Sequence, residues 1–211
     1  MFTKKIEELE YIFKLLSLIV AASVLPVISV SVIFGEQLLA FWFSNAELAR
    51  SIILPFQCYL VGNFFLAMAS MSYPFSLADG RMKLRNISSV TLLLFLLVTL
   101  PIAILKWGVL GASLTWATAM VLYWLVWQPL LVKQFSDGLF LDSFLKDILP
   151  IILVNLFSTF VFLRVEFSAG FLIFVWSVLY YLSVVFFCCL SSNTGRKFLV
   201  NFSGGVWALR K

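Results

Sequence analysis

The residues that could do chemistry sit inside long apolar runs or at their edges. Asn155, Ser158 and Thr159 cluster one to two helical turns before Arg164. Polar groups at membrane depth face protein or a water-filled cavity, so this patch either ties helices together or faces a substrate. Arg164 and Glu166 stand in a very short turn, where they pair with each other or mark an interface. An arginine turned into a cavity would instead suit an anionic phosphate, which a guanidinium grips with two N–H groups. Arg50 and Lys106, also at the ends of apolar runs, complete a candidate basic rim. Asn63 begins a stripe, Asn63, Ala67, Ser70 and Pro74, whose spacings of four, three and four share one helical face. Gln57 and Gln128 read as interhelical hydrogen-bonding groups.

No set of residues here can break or make covalent bonds by a familiar route. The chain has no histidine, which removes the commonest metal ligand and the commonest general base near neutral pH. No phosphate-cradling glycine loop, zinc-protease motif or nucleophile elbow occurs. Asp137 and Asp142 lie near Lys133 and Lys146 and read as solvated charge. Cys58, Cys188 and Cys189 all fall in apolar runs, an odd number in positions that do not suggest a disulfide framework. No catalytic residue, metal site, cofactor or nucleic-acid partner is expected. A protein of this kind moves or holds something.

The elements that must position these groups follow from composition. Of 211 residues, 63% are hydrophobic and only 12% charged, about half the roughly 25% of a soluble domain. The mean hydropathy is +1.06. A soluble domain would have to cover its surface with Leu, Val and Phe and would aggregate. The composition therefore predicts an all-α, polytopic membrane protein. Runs such as Thr91 to Val98 show no period-two alternation, which argues against a β-barrel. Six spans are expected, at about 12–34, 52–73, 87–105, 109–132, 148–163 and 167–190, since each needs about 20 apolar residues. Residues 1–11 precede them, and a basic tail, 191–211, follows, which either lies on an anionic leaflet or only enforces topology. The first run is too long for a signal peptide and reads as a retained span. Residues 35–51, with Leu38 to Phe43, read as a short amphipathic turn along the interface.

Basic residues set the orientation. With the N-terminus inside, one side holds Lys4, Lys5, Lys14, Arg81, Lys83, Arg85, Lys133, Lys146, Arg196, Lys197, Arg210 and Lys211. The other holds only Arg50, Lys106 and Arg164. The positive-inside rule then puts both termini in the cytoplasm. Two further stripes, Gly108, Gly111, Thr115 and Thr118, and Ala22, Pro26 and Ser29, read as close helix packing or as bending points. Pro26, Pro74 and Pro101 are the expected bends, and Asp79-Gly80 makes a tight turn before a basic loop.

Residues 35–132 resemble the C-terminal half of bacterial polysaccharide, or O-antigen, flippases of the multidrug/oligosaccharidyl-lipid/polysaccharide exporter superfamily. Three stretches carry the resemblance in order. Gly35-Glu36-Gln37-Leu38-Leu39-Ala40-Phe41-Trp42-Phe43 is similar to an outer stretch of the family. Leu77-Ala78-Asp79-Gly80-Arg81 is similar to an inner turn, and Lys106-Trp107-Gly108-Val109-Leu110-Gly111-Ala112-Ser113 to the start of the next helix. The resemblance implies one six-helix lobe of a MATE-like fold, in which two lobes surround a cavity with alternating access. It implies export of undecaprenyl-pyrophosphate-linked oligosaccharide units across a bacterial inner membrane, with a separate N-terminal lobe or a second copy as partner. Arg164, Arg50, Asn155 and Asn63 would then face substrate, while Pro26, Pro74, Gly80, Gly108 and Gly111 would shape the helices. A non-transporting scaffold or remnant, and a multidrug antiporter lobe, are the alternative readings. The antiporter would need an acidic residue inside a span, and none is read there.

Overall fold

The apolar runs become helices because an unpaired peptide group in lipid is costly and a helix pairs its own. The computed structural model describes residues 2–78, 80–164, 172–192 and 194–196, and no strand occurs among them. The helices are α1 (Phe2–Phe43), α2 (Ala46–Ser70), α3 (Tyr73–Ala78), α4 (Met82–Lys133), α5 (Leu139–Ser143), α6 (Leu149–Phe162) and α7 (Leu172–Ser191). A π-helical turn, Phe144–Ile148, joins α5 to α6. α1, α2 with α3, α4, and α5 with α6 form four stretches long and apolar enough to cross a membrane.

α4 runs for 52 residues but is a hairpin of two arms. Gly108 makes the reversal with φ +59° and ψ −137°, a conformation open in practice only to glycine. Just past it, Gly111 packs so tightly on the Ala103 carbonyl that any Cβ there would collide. The expected spans 87–105 and 109–132 are the two arms.

α1 departs from the expected bounds at both ends. Glu, Lys and Leu before residue 12 are good helix formers, so the backbone stays helical where hydropathy has already fallen. Residues 35–43 are not a separate interfacial turn; they extend α1 by two turns. The helix stops at Ser44, whose φ is +52°, and Asn45 caps α2 by accepting the Leu48 N–H at 3.1 Å. The expected fifth span likewise begins earlier, at α5. The sixth coincides with α7 from residue 172 onward; residues 167–171 and most of the tail lie outside the described residues.

The long helical stretches that follow one another along the chain alternate in direction. Glu36 pairs with Arg50, and the Gln57 side chain donates to the Ser31 carbonyl at 3.0 Å, so α2 descends beside α1. Lys14 pairs with Asp142 near one end, and Ser29 bonds Asn155 farther along, so α5 and α6 rise parallel to α1. Tyr180 meets Thr159 and Ser192 meets Asp147, so α7 descends beside α6. Lys14, Arg81, Arg85, Lys133, Lys146 and Arg196 therefore gather at one end of the bundle, and Arg50, Lys106 and Arg164 at the other.

The core lies among α1, α2, the second arm of α4, α6 and α7. Leu18, Phe34, Phe64, Met68, Ile151, Tyr180 and Val184 are buried there. The outer surface is as apolar as the core: Leu97 is 65% exposed and Leu105 87%. Water would not tolerate that surface, and lipid would.

Candidate functional site

The bundle end with few charges holds three of the expected basic groups. Arg50 is not a free cation: its Nε donates to Glu36 Oε1 at 2.7 Å, pairing the end of α1 with the start of α2. Both side chains are largely exposed, so the pair aligns helices more than it stabilises them. Lys106 is exposed two residues before the Gly108 reversal. Arg164 lies just past α6 with its guanidinium carbon 5.2 Å from the centre of the Phe160 ring, a cation–π contact. Glu166, its expected partner, lies outside the described residues.

Asn155 is buried within the core. Its side-chain oxygen accepts from Ser29 Oγ, which joins α1 to α6. Thr159 Oγ1, one turn on, lies 2.8 Å from both Ser29 Oγ and the Asn155 carbonyl, and 3.1 Å from the Tyr180 hydroxyl. Three helices thus meet on one hydrogen-bonded cluster. The Asn155 Nδ2 has no partner among the described residues. Of the two sequence readings for this patch, the hydrogen-bonded junction is the one the geometry supports.

Asn63 is only partly buried and donates to the Tyr59 carbonyl of its own helix at 2.8 Å. The stripe that it begins does not run straight to Pro74. α2 ends at Ser70, and Pro74 is the second residue of α3, where its missing N–H costs no helix bond. Pro26 is buried inside α1, which continues unbroken to Phe43. Gly80 has φ +72° with open space where a side chain would point, and Asp79 beside it is outside the described residues.

Three polar groupings escaped the sequence reading. Arg85, read as topology charge, reaches back to the end of α2, donating to the Ala69 carbonyl at 3.2 Å and to Ser72 Oγ at 3.1 Å. Ser72 Oγ also bonds the buried Gln128 side chain at 3.1 Å, whose Nε2 donates to the Met68 carbonyl at 3.3 Å. Arg85 therefore caps the Ala69 carbonyl, one of those at the C-terminal end of α2. Asp142, read as solvated, bridges Lys14 of α1 and Lys146. Asp147 is buried although it stands at the bundle end, and its Oδ1 accepts from Ser192 Oγ at 2.7 Å and the Thr194 N–H at 2.9 Å. Of these groupings, only Gln128 as an interhelical hydrogen-bonding group and the i,i+4 spacing of Asp142 and Lys146 were visible in the sequence.

The four expected substrate contacts are dispersed. Arg50 and Asn63 lie on α2, Asn155 in the core, and Arg164 beyond α6. Two apolar grooves lie elsewhere, one of about 470 Å³ between α6 and α7 and one of about 270 Å³ between the arms of α4. Neither is lined by any of these four residues. Among the described residues no cluster of acidic or cysteine side chains could hold a metal ion. No known protein family, curated protein or solved structure matches the chain.

Proposed function

We propose that this chain is a six-span, membrane-embedded lobe of a flippase that exports undecaprenyl-pyrophosphate-linked oligosaccharides for surface polysaccharide. The lobe sits in a bacterial inner membrane with both termini cytoplasmic. Its transport cavity is completed by a separate N-terminal lobe or by a second copy. The observation that carries this reading is where the chain turns. The flippase-like stretches fall at the close of α1, at the Gly80 turn and across the Gly108 reversal, where a lobe of alternating spans needs its ends. Segregation of basic side chains to one end of the bundle supports the cytoplasmic termini. The dispersed polar residues fit a lobe whose substrate site needs a partner.

A strain lacking the chain should accumulate sugar-linked lipid on the inner leaflet and lose surface polysaccharide. Re-expression should restore both. Unchanged polysaccharide in a strain with no second flippase would overturn the reading.

One observation favours a second reading, a non-transporting scaffold. Arg50 and Asn155, two of the expected substrate contacts, are engaged by Glu36 and Ser29 of the chain itself. A scaffold would leave export unchanged in every Arg50 and Arg164 variant. An antiporter lobe has less support: Asp147 does lie inside the α5–α6 stretch, but its carboxylate is held by Ser192 and Thr194.

A further inference from the structure

α1 and α2 meet in a tip that stands beyond the α4 reversal. Contacts between facing helices set the levels. The Gln57 side chain reaches the Ser31 carbonyl, so Gly62, five residues farther down α2, lies level with Pro26 of α1. Gly62 packs against Trp116 of α4. Gly108, eight residues up from Trp116, therefore reverses α4 at the level of Phe34. α6 rises beside α1 from the Ser29 and Asn155 contact and ends at Phe162, level with Glu36. α1 goes on to Phe43. Trp42 stands eight residues above Phe34, about 12 Å at 1.5 Å per residue.

Charged side chains mark two further levels. Lys14, Asp142 and Lys146 meet at the basic end of the bundle, and Glu36 pairs with Arg50 at the other. Lys14 and Glu36 are 22 residues apart on α1, about 33 Å. That is close to the roughly 30 Å of a hydrocarbon core. Trp42 is six residues, about 9 Å, beyond Glu36. A headgroup layer takes about 5–8 Å on each side, so the Trp42 backbone stands at its outer edge. In a helix the Cα–Cβ bond tilts toward the N-terminus, and the N-terminus of α1 is at the basic end. The rings of Trp42 and Phe43 therefore lean back toward the bilayer. Trp42 is 82% exposed and Phe43 45%.

We propose that the α1–α2 tip is an anchor set in the lipid headgroup layer, with Trp42 and Phe43 as the groups that hold it. The tip is too far out for acyl chains, and its inward-leaning rings are too far in for bulk water. An indole suits the layer between, since its ring is apolar and its N–H finds ester and phosphate oxygens there. Lipid charge plays no part. Glu36 neutralises Arg50, and the one charged residue between them in the chain is Glu47. The inference needs the helices to span a bilayer, but it does not depend on the flippase reading.

The test places the full chain, labelled with 5-fluorotryptophan, in nanodiscs of phosphatidylcholine. The Trp42 fluorine resonance is the one lost in Trp42→Phe. Its relaxation is read with a nitroxide on the lipid headgroup, with a nitroxide at mid-chain, and with a gadolinium chelate in the water. Leu97→Trp supplies a control, because Leu97 is exposed and about 16 Å down the first arm of α4 from Gly108. An unshifted resonance from the buried Trp124 reports that each variant keeps its fold. The headgroup nitroxide should relax Trp42 several-fold more than the mid-chain one, and Leu97→Trp should show the reverse. The chelate should relax Trp42 several-fold less than it relaxes free fluorotryptophan. Replacing part of the phosphatidylcholine by phosphatidylglycerol should leave Trp42 unchanged. Relaxation by the chelate equal to that of the free amino acid would put Trp42 in water and overturn the proposal. Stronger relaxation by the mid-chain probe would overturn it too, as would a Trp42 silent to all three probes, which would mean that protein covers the tip. A response to phosphatidylglycerol would make charge the anchor instead of the rings. If the Leu97→Trp resonance ignores both lipid probes, the chain does not span the bilayer and the anchor falls with that reading; if only Trp42 ignores them, the anchor alone falls.

Discussion

The Ser88 hydroxyl lies 2.9 Å from the Tyr123 hydroxyl although 35 residues separate them within α4. A straight helix would hold them about 50 Å apart at 1.5 Å per residue. Their contact is therefore a direct report of the Gly108 reversal. At φ +59° and ψ −137° any side chain on residue 108 is strained, so Gly108→Ala should cost about 1–3 kcal/mol. A lower melting temperature in detergent would show it. A Ser88→Cys/Tyr123→Cys pair should also be bridged by a short bifunctional thiol cross-linker in the parent chain, and less completely with Gly108→Val. Undiminished cross-linking would mean that the hairpin does not depend on glycine.

The Glu36–Arg50 pair separates a structural role from a substrate contact. Arg50→Glu places two carboxylates together at the α1–α2 turn and should weaken packing there. Glu36→Arg with Arg50→Glu restores opposite charges in reversed order. If the pair only aligns helices, the double variant should recover both stability and export. If Arg50 touches a phosphate, stability recovers and export does not, which a vesicle-based transport assay run beside a thermal melt can distinguish.

The position of the long apolar helices was legible because their apolar runs are what hydropathy measures directly. The extra length of α1 was not, because helix propensity before residue 12 and after Gly35 carries no hydropathic signal. The stripe through Gly108 and Gly111 was visible as small residues, but a stripe does not reveal that one glycine packs on Ala103 and the other reverses the chain. Arg85 and Lys14 were counted as charge, and counting along a line cannot see the Ala69 carbonyl or an Asp142 that lies 128 residues away. Asn155, Ser158 and Thr159 were legible as a polar patch. That Asn155 and Thr159 meet Ser29 and Tyr180 on other helices depends on the relative rotation of α1, α6 and α7, which the pattern of one helix does not determine.

Within that cluster Thr159 should matter more than Asn155. Its hydroxyl reaches Ser29, the Asn155 carbonyl and Tyr180, whereas among the described residues the Asn155 side chain reaches Ser29 alone and its amide nitrogen has no partner. Interhelical hydrogen bonds in membranes average about 0.6 kcal/mol. Thr159→Val should therefore destabilise by about 1–2 kcal/mol, while Asn155→Leu, which also removes an orphan donor, should cost less. Equilibrium unfolding in mixed micelles can rank them, and a larger loss for Asn155→Leu would point to a partner for its amide from outside the described residues.

Asp142 holds α1 to the start of the α5–α6 stretch through Lys14, with Lys146 on the same carboxylate. Asp142→Asn leaves two ammonium groups facing a neutral amide. It should destabilise more than Lys146→Met, because Lys146 is the more exposed partner and Lys14 keeps its bond when Lys146 is lost. Raising the salt concentration should narrow the gap, since screening weakens the repulsion between the two ammonium groups that Asp142→Asn leaves. Thermal melts of the two variants at low and high salt check both statements.

Asp147 fastens the segment that follows α7. Its Oδ1 takes the Ser192 hydroxyl at 2.7 Å and the Thr194 N–H at 2.9 Å, and both donors are buried. Removing the acceptor leaves them unpaired away from water, at about 1–3 kcal/mol for each buried group. Asp147→Ala should therefore loosen residues 192–196. Asp147→Asn keeps an oxygen that can accept from both and should loosen them far less, which makes the acceptor rather than the charge responsible. Arg196 is exposed at the end of this segment and donates to the Ser191 carbonyl at 3.3 Å, so trypsin can report its release. Cleavage after Arg196 should be several-fold faster in Asp147→Ala than in the parent and near the parent rate in Asp147→Asn. If Asn behaves like Ala, the carboxylate charge does the fastening. If neither variant changes the rate, the segment is held by something other than Asp147.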